Sequence, residues 1–97
     1  MPSNSAVTGY LLDEHALDVY ELASACDVAP EWVIERVQAG LLSCTSSAGE
    51  LRFASAQLVR ARRMATTERR FDANQELAAL VADLIEEVEQ LRRQLRR

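Results

Sequence analysis

The stretch DVYELASACDVAPEWVIERVQAG, residues 18–40, decides the fold. Asp18 is a good helix N-cap, and Glu21 three residues later completes a capping box with it. Val19, Leu22, Ala23 and Cys26 then fall at the i, i+3, i+4, i+7 spacing of one buried helical stripe, which predicts a first helix over residues 18–25. Asp27-Val28-Ala29 makes the turn. Pro30 starts a second helix at its first position, where the missing N–H has no helical partner to lose, and Gly40 closes it. Val33, Ile34 and Val37 give that helix its apolar face, with Trp32 a further candidate. Glu31, Glu35, Arg36 and Gln38 are expected to point outward. Two short helices joined by a tight turn form a helix-turn-helix.

Downstream, Leu41-Leu42-Ser43-Cys44 and Leu51-Arg52-Phe53 are short apolar stretches separated by turn chemistry over residues 45–50, so they predict a β-hairpin wing. Ser55 is the expected cap of a third helix reaching about residue 70, with Leu58, Val59 and Met64 on its core side among arginines. Asp72 and Gln75 stand at the spacing of another capping box, which would start the last helix. In that helix Leu77, Val81, Leu84, Val88, Leu91 and Leu95 are 4, 3, 4, 3 and 4 apart. This is a heptad seam with Leu, Leu, Leu at d and Val, Val, Leu at a, the pattern of a helix meeting another helix. Leu80 and Ile85 widen the stripe in its first half, which is expected to brace the chain's own third helix. The second half narrows to Val88, Leu91 and Leu95. Upstream, residues 1–8 read as a disordered start and Tyr10-Leu11-Leu12 as a short edge strand. The division expected is 1–8 disordered, 9–71 winged helix-turn-helix, and 72–97 a dimerising and bracing helix.

Ninety-seven residues suit one domain, and a chain this short buries a modest share of its surface, so a second subunit would add stability. Charge is unevenly spread. Residues 1–50 carry eight acids and one arginine, a net −7, while residues 51–97 carry seven acids and ten arginines, a net +3. The acidic front half repels phosphate and attracts basic partners. The N-terminus lacks the basic start and apolar core of a secretory signal, and no window approaches a membrane span. Cys26 and Cys44 are 18 apart without nearby ligands, which reads as two reduced thiols in a cytoplasmic protein, with a metal or disulfide as the alternatives.

Tyr20-Glu21-Leu22-Ala23, Cys26-Asp27-Val28 and Gly40-Leu41-Leu42 followed by a wing resemble the winged helix-turn-helix of MerR-type regulators. Within that superfamily the chain is similar to CbpM, the modulator of a DnaJ-type co-chaperone. The likeness includes the arginine-rich third helix, Arg70-Phe71-Asp72-Ala73-Asn74, and the run from Ala78-Ala79-Leu80-Val81 through Asp83-Leu84-Ile85-Glu86-Glu87-Val88-Glu89-Gln90-Leu91-Arg92 to Leu95. It covers about residues 9–96 and rests on order, length and the C-terminal block together. Two departures stand out. MerR-type DNA binders usually carry an Arg-Tyr-Tyr-Glu-like signature in the second helix, where this chain reads Ile34-Glu35-Arg36-Val37; and Glu76-Leu77 stands where CbpM-like chains often have a glycine. The resemblance implies an all-α fold with a small wing and a long C-terminal helix. It also implies binding to the J-domain of a DnaJ/CbpA-like co-chaperone, inhibition of its stimulation of DnaK, no enzymatic activity and no cofactor.

The residues can be weighed independently of that likeness. A DNA reader needs Arg, Lys, Asn or Gln on its recognition helix and cations against several phosphates, and every phosphate left without a cation forgoes a unit of counterion release. Glu31, Glu35, Arg36 and Gln38 are net negative, so nucleic acid is disfavoured. The alternative of a small MerR-like transcriptional regulator would rest on Arg52, Arg60, Arg62 and Arg63. A J-domain presents a basic helix, and Glu21, Asp27, Glu31 and Glu35 could attract it, with Trp32, the only tryptophan, as apolar anchor. The competing reading places Trp32 in the core and leaves the acids solvated. His15 has no nucleophile at a meaningful spacing, the adjacent carboxylates Asp13-Glu14 and Glu86-Glu87 diverge, and no glycine-rich loop is present, so catalysis is disfavoured. The seam Leu77, Val81, Leu84, Val88, Leu91, Leu95 predicts a homodimer. Glu87 at g and Arg92 at e suit a parallel pair, while the MerR resemblance points to an antiparallel one, and three heptads leave both open.

Overall fold

The computed structural model describes residues 16–96. The expected disordered start over residues 1–8, the strand at Tyr10-Leu11-Leu12 and His15 lie outside them. The elements are α1 (Val19–Cys26), α2 (Pro30–Gln38), β1 (Thr45–Ser47), β2 (Glu50–Arg52), α3 (Ser55–Phe71) and α4 (Gln75–Leu95). The fold is all-α with a small β-hairpin wing, as expected.

The capping box of α1 forms in full. The Asp18 N–H donates to Glu21 Oε1 at 2.9 Å, and the Glu21 N–H donates to Asp18 Oδ1 at 2.8 Å. Asp27 ends the helix in the left-handed region at φ 57°, and the Val28 N–H returns to the Ala23 carbonyl at 3.0 Å. Pro30 opens α2, as its φ preference favours. Gly40, at φ 77°, closes it in a Schellman turn, its N–H on the Val37 carbonyl at 3.0 Å and the Leu41 N–H on the Arg36 carbonyl at 2.8 Å.

The wing differs from its expected form. Its turn is the two residues Ala48-Gly49, both left-handed at φ 52° and 79°, instead of the whole stretch 45–50. A two-residue turn of that hand matches strand twist, so Thr45, Ser46 and Ser47 pair with Arg52, Leu51 and Glu50. Leu42, expected in a strand, lies buried in the core instead. One further pairing joins the chain ahead of α1 to the end of the wing: the backbones of Leu17 and Phe53 exchange two hydrogen bonds at 2.8 Å. They fix Phe53, fully buried, at the centre of the core.

Two expected caps are corrected. Ala54, not Ser55, is the N-cap of α3, and it makes no side-chain hydrogen bond. Asp72 does not cap α4; it ends α3 in the left-handed region at φ 51°. Asn74 caps α4 instead, its Oδ1 accepting from the Leu77 N–H at 2.9 Å. The left-handed residue must come first to turn the chain, so the cap moves two places on.

The packing of α4 is also corrected. Its intramolecular face is Ala78, Ala79 and Ala82, all buried in one core cluster with Leu22, Val33, Phe53, Ala61 and Met64. Leu80, expected to help brace the domain, is exposed, and so is the leucine-valine seam apart from the half-buried Val81. Alanines on α4 that share a cluster with Ala61 of α3 suit a close approach of two helix backbones.

Candidate protein-docking face

The helix-turn-helix surface is shaped by one inward arginine. Arg36, expected to point outward, is only 8% exposed. Its Nη2 lies 2.8 Å from Glu68 Oε1 on α3 and its Nε 3.3 Å from Oε2. The same Oε1 accepts from Trp32 Nε1 at 2.9 Å, and the guanidinium stacks 4.1 Å from the centroid of the Trp32 ring. A desolvated cation needs both a counter-ion and filled donors, and Glu68 with the Trp32 carbonyl and Glu35 supplies them. Trp32 thereby packs part-buried against the core with its indole N–H committed to Glu68. Nothing in the local sequence pairs residue 36 with residue 68; their meeting depends on the crossing of α2 and α3.

With Trp32 and Arg36 inward, the outer side of α2 presents Glu31, Ile34, Glu35 and Gln38. Beside it a groove of about 350 Å³ runs between the start of α1, the start of α2 and the wing. It is lined by the apolar side chains of Val19, Tyr20, Pro30, Ile34 and Leu51 and by Asp18, Glu31, Glu50 and Gly49. Tyr20 is 73% exposed and Ile34 38%, large apolar surfaces left open to solvent. Sequence reading placed Ile34 on the core face and overlooked Tyr20 and Glu50. The available signal was helical: Tyr20 is outside the stripe of Val19, Leu22, Ala23 and Cys26, so it has to face away from the core.

The five residues expected to bind a partner are not brought together. Glu31 lines the groove. Glu21 is engaged in the capping box, Asp27 stands at the opposite end of α1, and Trp32 faces Glu68. Glu35 borders a second, polar cleft with Arg36, Gln38, Ala39 and Gln75, where Gln75 Oε1 is buried without a hydrogen-bond partner.

The wing and α3 arginines, the cations on which a DNA reading depends, are largely occupied. Arg52 pairs with Glu50 at 2.9 Å. Arg60 donates from Nε to the Leu41 carbonyl and pairs with Asp83 at 2.8 Å and Glu86 at 3.0 Å. Desolvation opposes the charge on Arg60, but Glu86 and Asp83 outweigh it and raise its pKa above the ordinary guanidinium value. Arg63 pairs with Glu89 at 2.7 Å, and that hydrogen bond holds the Glu89 carboxyl below the usual carboxylate range. Arg62 and Arg69 donate to the Ala25 and Cys26 carbonyls at the C-terminus of α1, where cations complement the helix dipole.

On α4, Leu77, Leu84, Val88, Leu91 and Leu95 are 46–85% exposed, and Val81 is half-buried. A shallow cleft of about 300 Å³ between Val81, Leu84, Ile85, Val88, Glu89 and Arg92 lies along this seam. Among the described residues no cluster of His, Cys, Asp and Glu could hold a metal ion, and no helix is long and apolar enough to cross a membrane. Cys26 and Cys44 are both free, and burial pushes the Cys26 thiol pKa up.

The family model described as MerR HTH family regulatory protein matches residues 17–97. The chain belongs to that family. No curated protein and no solved structure matches it. As a MerR-family chain it carries the helix-turn-helix, the wing and a long C-terminal helix, but its recognition-helix position is filled by a face whose one arginine is committed to the interior.

Proposed function

We propose that this MerR-family protein regulates by binding another protein: it takes the J-domain of a DnaJ/CbpA-like co-chaperone and restrains that co-chaperone's stimulation of DnaK in the cytoplasm. It does so as a homodimer, without catalysis or a cofactor. The observation that carries this reading is the inward turn of Arg36 onto Glu68. It leaves Glu31, Ile34, Glu35 and Gln38 as the outer face of the recognition helix. Such a face cannot neutralise phosphate or donate the paired hydrogen bonds that read guanine. It does suit a basic partner helix, because opposite charge steers the encounter and exposed apolar surface supplies affinity.

Retention of a purified J-domain and of duplex DNA by the immobilised protein, compared at ~150 mM salt, tests the reading, since weak electrostatic DNA binding fades there. The J-domain is the species expected to be retained. Retention of DNA alone would favour a transcriptional regulator working through the wing and α3. Reversing Glu31 or Glu35 to Arg weakens J-domain binding by calorimetry; Glu31→Arg keeps the wild-type melting temperature, whereas Glu35→Arg also lowers it because Glu35 accepts from Arg36, and unchanged affinity removes both residues from the interface.

A further inference from the structure

The groove beside α2 has properties that the helix-turn-helix framework does not require. A core residue would not leave an aromatic ring 73% exposed, and a solvated helix face would not place Tyr20 with Ile34 in one apolar groove. Large aromatic and aliphatic groups grouped in a concave site are what protein interfaces use as anchors. The charge is of one sign. Asp18, Glu31 and Glu50 border the groove and no arginine among the described residues lines it; Asp18 also serves the capping box and Glu50 also pairs with Arg52, so Glu31 is the acid most open to a partner. The α1 and α2 helices are held by the capping box, Pro30 and the Gly40 turn, so the groove is built on fixed elements and needs no rearrangement to accept a partner.

We propose that this groove is the docking point for the J-domain, receiving an apolar side chain of a cationic amphipathic helix between Tyr20 and Ile34 while Glu31 and Glu50 meet its flanking lysines or arginines. The proposal rests on the J-domain reading above and locates it. A groove of about 350 Å³ is at the small end of binding sites, where pockets for small molecules run from about 300 to 1,000 Å³. It suits a side chain or two presented by a helix, with the acidic residues fixing direction by charge.

Calorimetric titration of the full-length protein with a purified J-domain separates the outcomes. Tyr20→Ala and Ile34→Ala are each expected to weaken binding by ~10-fold or more, as truncation of an anchor does. Glu50→Arg weakens binding and flattens its dependence on salt. Glu76→Arg, the same charge change away from the groove, leaves affinity within about twofold, as an exposed charge outside the interface should. Tyr20 is largely exposed, so Tyr20→Ala keeps the wild-type melting temperature, and the mostly covered Ile34 makes Ile34→Ala only modestly less stable, still folded at the temperature of titration. If the wild-type protein does not bind the J-domain, the functional reading fails and the docking fails with it. If the wild type binds and the Tyr20 and Ile34 variants bind equally well, the docking alone is overturned. If these variants instead lower the self-association mass, the groove belongs to a second copy and the proposal is also overturned.

Discussion

Glu68 shows how far one residue can decide a surface. It is the shared acceptor for Trp32 Nε1 and for two guanidinium nitrogens of Arg36, with side-chain exposures of 15% for Glu68 and 10% for Arg36. Removing Glu68 leaves a largely buried guanidinium with only the exposed Glu35 as counter-ion, so Glu68→Ala should cost about 3 kcal/mol in urea denaturation. The double replacement Arg36→Met with Glu68→Leu should recover most of that loss, since an apolar pair of similar volume has no desolvation to offset. Thiol chemistry offers a second check at this scale. Cys26 is 3% exposed with its thiol pKa raised by burial, whereas Cys44 is half-buried, so an alkylating reagent should label Cys44 well before Cys26 in the native protein.

Individual elements carry their own signatures of strain and support. Ala48 sits at φ 52° in the wing turn, a conformation that L side chains other than Asn and Asp seldom adopt, and Gly49 follows at φ 79°. Ala48→Asn should therefore stabilise the fold by about 0.5–1 kcal/mol, because Asn-Gly is the favoured pair for this hairpin turn. At the start of α4 the opposite change is informative. Asn74→Ala removes the hydrogen bond to the Leu77 N–H and should cost about 1 kcal/mol, whereas Asp72→Asn keeps the left-handed end of α3 and should cost little. The α3–α4 packing also responds to pH. The Glu89 carboxyl is held low by its hydrogen bond from Arg63, and further by the charges of Arg63, Arg93 and Arg92 against desolvation. The folded state thus binds this proton more weakly than the unfolded state, and the pair supports the fold fully above the ordinary carboxylate value. That support declines below about pH 4.5 and is lost as pH falls through the lowered value, so the melting temperature should drop there and Arg63→Gln should flatten the drop.

At the scale of the whole molecule the exposed seam of α4 matters most. One protomer leaves Leu77, Leu84, Val88, Leu91 and Leu95 in water, while the alanines on the other face of the same helix complete its own core. Contiguous apolar surface of this kind marks an interface. A second copy pairing along the seam would cover it, and multi-angle light scattering should show a mass that rises to that of two chains with concentration. Leu84→Glu together with Val88→Glu should hold the protein at the single-chain mass without unfolding it, because neither side chain belongs to the buried cluster. A mass independent of concentration in the wild type would remove the dimer. The proposed J-domain docking and the proposed pairing of the helices would use different surfaces, so the Tyr20 and Leu84 substitutions should act independently.

By itself the sequence determined the secondary elements and their order. The Asp18 cap, Pro30, Gly40 and the helical periodicities act within a few residues, so they can be read without knowing what lies opposite, whereas the caps of α3 and α4 lie one and two places from where they were expected. The heptad was legible for the same reason, and the structure leaves its leucines and Val88 outward, with Val81 half-buried. Tertiary structure alone decided which side chains face inward where periodicity is ambiguous. Trp32 and Arg36 turn in because Glu68, 32 residues away from Arg36 along the chain, presents a carboxylate at the crossing of α2 and α3. Ala78, Ala79 and Ala82, inconspicuous in a hydrophobic pattern that favours large residues, became the bracing face because small side chains let two backbones approach. The groove of Tyr20, Ile34, Glu31 and Glu50 follows from the same cause: its walls come from α1, α2 and the wing, and only their packing brings three acids together with open apolar side chains.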